Sequence, residues 1–189
     1  MTIDERRQRD RADQRALITG AARRLAESEG WPAVTTRRLS TEIEYSQPVI
    51  YKHFASLDGL TEAVALEGFQ ELAAALEKAR LSAQAGGEIH AFAHAYISFA
   101  RANPALYAAM FIRATRLSFG EQAPVPLSAA FAELKQAIAT LSAQRDPDLV
   151  AEVFWSALHG LASLDRDGRL RPGLEGERLD LLVAQFSAS

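Results

Sequence analysis

Cysteine is absent from this 189-residue chain, which excludes disulfides, thiolate nucleophiles, Cys-ligated zinc and iron–sulfur clusters. No uninterrupted apolar run approaches the roughly 20 residues that span a bilayer, so no membrane partner is expected. The first residues, with Asp4, Glu5 and several arginines, lack the apolar core of a signal peptide. Together these lead to the expectation of a cytoplasmic protein. Alternating strand patterns are missing too, and β-branched residues are sparse among Ala, Leu, Glu and Arg, which excludes a sheet. What remains is ordinary for a folded globular chain, with 48% apolar and 24% charged residues.

The net charge of −3 hides an asymmetry. Residues 1 to 54 hold 10 Lys/Arg against 8 Asp/Glu, and the remainder is acidic. An anionic partner needs only a local basic face, and the N-terminal portion supplies one.

Helical periodicity places a first helix from about Asp10 to just before Gly30, with Leu17, Ala21, Ala22, Leu25 and Ala26 on one face. Arg6, Arg7, Arg9 and Arg11 read as a polar arm ahead of it. Trp31-Pro32 turns the chain, and Thr35 caps a helix over about 36 to 43. Ser46 caps the next, where Pro48 falls in the first turn at no hydrogen-bonding cost. Ile50, Phe54 and Leu57 recur at i, i+4 and i+7 and point inward. The opposite face shows Gln47, Pro48, Tyr51, Lys52 and His53, a surface suited to something flat and anionic.

Further helices are expected from after Asp58 to about Arg80, over 88 to 102, and from Pro104 onward. Others should cover 127 to 143, 148 to 165 and 176 to 187. The breaks fall at Gln84 to Gly87, at 117 to 126 (with Gly120, Pro124 and Pro126), at Asp146-Pro147 and at Asp165 to Gly168. The composition shift near residue 55 suggests domains of 1–56 and 57–189.

The run from Leu39 to Phe54, ending Tyr51-Lys52-His53-Phe54, resembles the helix-turn-helix of the TetR family of bacterial transcriptional regulators. Ala21, Ala22, Leu25, Gly30 and Thr35 before it, and Ala55 to Leu60 after it, fit the same pattern. The resemblance implies an all-α fold, with a three-helix DNA-binding domain followed by a larger helical domain for ligand binding and dimerisation. It implies a dimeric repressor on a palindromic double-stranded DNA operator, released by a small, mostly apolar effector.

Groove geometry distributes the roles. The major groove admits one helix, whose N-terminal residues meet base edges while flanking groups grip phosphates. Gln47 is the base reader, and Pro48 and Val49 offer apolar contact to a thymine methyl. Thr36, Arg37, Tyr51, Lys52 and His53 fall to the backbone, and Ser46 at the helix start is counted with the DNA-binding residues. Two departures stand out. Glu44 occupies the turn where the family usually has Gly, at a cost of roughly 1 kcal/mol for a left-handed residue. Ser40 replaces the usual small apolar residue at the helix crossing.

In the C-terminal part, Asn103 to Tyr107 with Met110-Phe111, and Trp155 with His159-Gly160, are similar to a subtype of the family carrying a Trp-x-x-x-His-Gly signature. Phe92, Tyr96, Phe99, Tyr107, Met110, Phe111, Trp155 and His159 are the candidate effector contacts, since an apolar pocket with a few polar tips suits such a ligand. Plain core packing is the competing reading of each. Val150, Val153, Phe154, Ala157 and Leu161, with Leu179, Leu182, Val183 and Phe186, would pair two helices per subunit into a four-helix dimer interface.

Other chemistries fall away. His90 and His94 have a two-His metal spacing, but no carboxylate at a matching spacing completes a site, so a solvated face is favoured and no metal is expected. Asp165 to Gly168 has its Gly too early for a calcium loop. Ser156, His159 and Asp165 sit along one helix without a nucleophile turn, so no triad forms. No catalytic residue, enzyme activity or cofactor is expected. A helical ligand-binding or protein-interaction module with little specific DNA binding is the alternative function; Glu44 and the acidic total favour it weakly.

Overall fold

The computed structural model describes residues 2–113, 117–139 and 145–187, and among these it contains helices and no strand. Its helices are α1 (Ile3–Glu29), α2 (Thr36–Glu42), α3 (Gln47–His53), α4 (Leu57–Ser82), α5 (Glu88–Ala102), α6 (Pro104–Phe111), α7 (Val125–Ala137), α8 (Pro147–Arg166) and α9 (Glu175–Ser187). The all-α expectation holds, and most boundaries fall within a few residues of those read from periodicity. Residues 140–143 of the expected 127–143 helix lie outside the described residues.

The N-terminal arm differs. Helix α1 begins at Ile3 because Thr2 and Glu5 close a reciprocal cap: each side chain bonds the other's backbone N–H. The buried face of α1 is the expected one except at its start, where Ile18 takes the place of Leu17. Ile18 is fully buried with Ala21, Ala22, Leu25 and Ala26, while Leu17 is 41% exposed.

By its contacts the chain forms two compact units, Met1–Gly68 with Ala105–Leu117, and Phe69–Pro104 with Ser118–Ser189. In the first, Leu39 of α2, Ile50 and Phe54 of α3 and its C-cap, and Leu60 and Val64 of α4 are buried, as is the α1 face. Leu57, the third member of the expected inward series, is instead exposed. It opens α4 after the Phe54 C-cap, so the α3 periodicity no longer applies to it.

Helix α6 belongs to this unit by hydrogen bonding. Its first free N–H groups, from Ala105 and Leu106, donate to the Glu27 carboxylate at 3.0 and 2.9 Å. A negative group at a helix N-terminus satisfies orphan donors and complements the dipole. The Trp31 indole donates to the Ala105 carbonyl at 2.8 Å. Gly68 lets α4 approach closely, since a Cβ there would lie 2.7 Å from Met110 Sδ.

In the second unit, Phe92, Ala93 and Tyr96 of α5 pack with Leu134 of α7 and Ala151, Phe154 and Leu158 of α8. Phe154 meets Phe186 of α9 edge-to-face at 4.9 Å. Arg80 and Glu133 form a half-buried ion pair at 2.8 Å.

Candidate nucleic-acid interface

Helices α2 and α3 are seven residues each, too short to stand alone, so their conformation depends on caps and packing. At α2, the Thr35 hydroxyl accepts from the Arg38 N–H at 3.2 Å, as expected of an N-cap. Ser46 holds the N-cap position of α3, but its side chain makes no cap bond. The second residue of α3 is Pro48, which has no N–H to offer, and the Val49 N–H bonds the Ser46 carbonyl instead.

Between the helices, Glu44 adopts φ +56°. This is the left-handed turn the sequence suggests, held by a residue with a side chain. The turn closes through the Tyr45 N–H donating to the Ser40 carbonyl at 3.1 Å. The Ser40 hydroxyl turns back onto the Arg37 carbonyl at 2.9 Å, so the polar substitution at the crossing is satisfied locally.

The outer face of α3 follows. Ser46, Gln47, Pro48, Tyr51 and Lys52 are exposed and Val49 is partly so. The Thr36 hydroxyl donates to Gln47 Oε1 at 3.3 Å, which ties the first residue of α3 to the first of α2 and steadies the amide. Arg37 is exposed beside it. Its neighbour Arg38 is held away by a paired interaction with Glu29, at 2.6 and 3.2 Å.

His53 departs from its expected part as a phosphate clamp. It is 7% exposed, with Nε2 at 3.0 Å from Gln14 Oε1. Its carbonyl accepts from Arg15 at 2.7 Å, and the Arg15 guanidinium lies 4.3 Å from the Phe54 ring centre. Burial, then the charges of Arg11, Arg15 and Lys52, push its pKa below the ordinary value and keep the ring neutral. Helical spacing explains the difference: His53 lies three residues past Ile50 and so shares its inward side.

The effector candidates divide between the units. Tyr107, Met110 and Phe111 lie on α6 in the first, where Tyr107 and Met110 are buried. Phe92, Tyr96, Phe99, Trp155 and His159 lie in the second. There Phe92 is core, and the Tyr96 hydroxyl accepts from the Trp155 indole at 3.1 Å. Trp155 also stacks toward Phe119 at 6.4 Å and sits 6.0 Å from the His159 ring. Burial foremost, with Arg166 nearby, lowers the His159 pKa.

Trp155 opens onto a cleft of about 410 Å³ lined also by Phe119, Leu127, Phe131, Lys135 and Glu152. Apart from Trp155 these residues escape sequence reading, because Phe119 lies in a loop and Phe131 looks like ordinary helix core. A third expected set also separates. Val150, Phe154 and Leu179 are spent on the unit's own core, whereas Val153 points outward, joined by Leu149, Leu164 and Leu181 from outside that set.

A tightly turned helix pair whose second helix presents an amide, a phenol and an amine to solvent defines a DNA-binding protein of the helix-turn-helix class. Residues 18–64 match the family described as bacterial regulatory proteins, tetR family, and residues 89–186 match the tetracyclin repressor-like C-terminal domain. The chain belongs to the tetR family of transcriptional regulators, whose members are not enzymes. It is similar to an uncharacterized HTH-type transcriptional regulator of Mycobacterium tuberculosis, 28% identical over 158 residues, 82% of this chain and 71% of that one. A solved protein of unknown function from Rhodococcus sp. RHA1 is similar at 27% identity and TM-score 0.76, over 92% of this chain and 93% of that one. RolR, solved in complex with the ligand resorcinol, shares the fold at 17% identity and TM-score 0.65, over 96% of this chain and 89% of that one.

Proposed function

We propose that this regulator is a repressor that binds a palindromic operator as a homodimer and leaves it when a small, mostly apolar effector binds. The observation carrying this reading is the exposed face of α3, with Gln47 steadied by Thr36 and followed by Tyr51 and Lys52. Gln47 reads a base edge, Pro48 and Val49 meet a thymine methyl, and Thr36, Arg37, Ser46, Tyr51 and Lys52 hold the backbone. His53 instead fixes the end of α3 from inside. The outward Leu149, Val153, Leu164 and Leu181 support an interface between copies along α8 and α9. The cleft beside Trp155 is of a size and apolarity that suit a small effector. Release follows if the effector favours a dimer whose α3 helices are spaced wrongly for successive major grooves.

The test is binding to the DNA upstream of its own gene, followed by fluorescence anisotropy over a salt series. The parent should weaken steeply as salt rises. A Tyr51→Ala, Lys52→Ala double variant should lose on the order of 10²-fold in affinity and show a salt slope shallower by about one. Equal binding by parent and variant would overturn the assignment. Binding insensitive to salt would favour a helical module that captures ligands without gripping DNA.

A further inference from the structure

The fold gives the His90, His94 pair the third ligand that the sequence leaves missing. The two histidines stand one turn apart on α5, ring centres 4.3 Å apart. Asp180, 90 residues beyond His90 and on α9, places Oδ1 2.8 Å from His90 Nε2. One ligand-capable atom from each of the three lies within 4.8 Å of the other two. Both helices belong to the second unit, so the grouping is internal to it.

We infer that His90, His94 and Asp180 form a binding site for a divalent transition-metal ion of the zinc type, which ties α9 to α5. The donor set decides the class. Two imidazoles and one carboxylate suit zinc, cobalt or nickel, whereas calcium and magnesium want oxygens throughout. An ion about 2.1 Å from each ligand requires donor atoms roughly 3.4 Å apart in tetrahedral geometry. The closest pair is already nearer than that, and the widest separation of 4.8 Å closes by rotating side chains. His90 and Asp180 have that freedom, with side chains 48% and 64% exposed.

His94 supplies the independent sign of a missing partner. Its Nε2 is sequestered from solvent and has no hydrogen-bond partner among the described residues. A buried polar nitrogen left alone costs about 1–3 kcal/mol, and a metal or its bound water removes that cost. Three protein ligands leave one or two positions for water or another donor.

The experiment uses the full chain without a histidine tag, stripped with chelator and titrated with Zn²⁺ by calorimetry. One ion per chain should bind with a Kd on the order of 1 μM or tighter. At 100-fold excess over Kd the melting temperature should rise by about 5 °C or more. Ca²⁺ and Mg²⁺ should produce no such rise. His90→Gln and Asp180→Asn alter exposed side chains and should fold like the parent, yet each should weaken Zn²⁺ by at least about ten-fold. Co²⁺ should give a visible spectrum of a four- or five-coordinate nitrogen and oxygen site, absent in both variants. No saturable Zn²⁺ binding below about 1 mM, or equal affinity in parent and variants, would overturn the site.

Discussion

The two compact units place their functional side chains in opposite ways. In the first, the proposed DNA-contact residues fall within 17 consecutive positions, Thr36 to Lys52, and their geometry is fixed by neighbours: the Thr35 cap, the Glu44 turn, the Thr36 bond to Gln47. In the second, each meeting of interest joins distant segments. Trp155 reaches Tyr96 across 59 residues, and Asp180 reaches His90 across 90. Recognition of a groove needs one rigid short element with an outward face, which local sequence can build. A cleft or a ligand cluster needs walls, and walls come from separate helices.

That contrast can be broken at its strongest point by Phe154→Ala. Phe154 is wholly buried and meets Phe186 edge-to-face, so truncation should cost about 3–5 kcal/mol. Urea unfolding checks it, and a loss under about 1 kcal/mol would show that this long-range aromatic contact does not hold the second unit.

A smaller effect sharpens the local side. Glu44 sits at φ +56°, so Glu44→Gly should raise stability by roughly 1 kcal/mol, less the extra freedom glycine gives the unfolded chain. The same denaturation series reads it. Destabilisation instead would mean that the Glu44 side chain contributes more to the turn than its backbone strain removes.

The mildest effect is a pH dependence. His53 in the first unit and His94 and His159 in the second all have pKa values lowered chiefly by burial. The unfolded chain then binds more protons than the folded one as pH falls below the ordinary value near 6.5. Their contribution is full above that pH and is lost on the way down toward the folded pKa values. Thermal melts from about pH 7.5 to 5 should therefore show falling stability, and His159→Gln should flatten the curve. An unchanged curve in that variant would remove His159 from the account.

Legibility tracked the same divide. The caps at Thr35 and the left-handed Glu44 were readable because each depends on neighbours within four residues. Ser46 was readable as a position but not as a bond, since its missing acceptor role follows from Pro48 at the second helical residue. His53 misled because Tyr51-Lys52-His53 reads as a polar run, while helical geometry turns its third member toward Ile50. Leu17 misled by one register step, Ile18 taking the buried place. For the proposed dimer face, amphipathic spacing could not separate Phe154, needed by the unit's own core, from Val153, left outward.

Sequence alone determined the helical class, the family, and which short helix carries the exposed polar face, because periodicity, capping and turn chemistry act over a few residues. Tertiary structure alone decided that His53 lies inside, that Trp155 borders a cleft with Phe119 and Phe131, and that Asp180 completes the histidine pair. Those outcomes depend on how helices far apart in the chain pack together, and no local spacing encodes that.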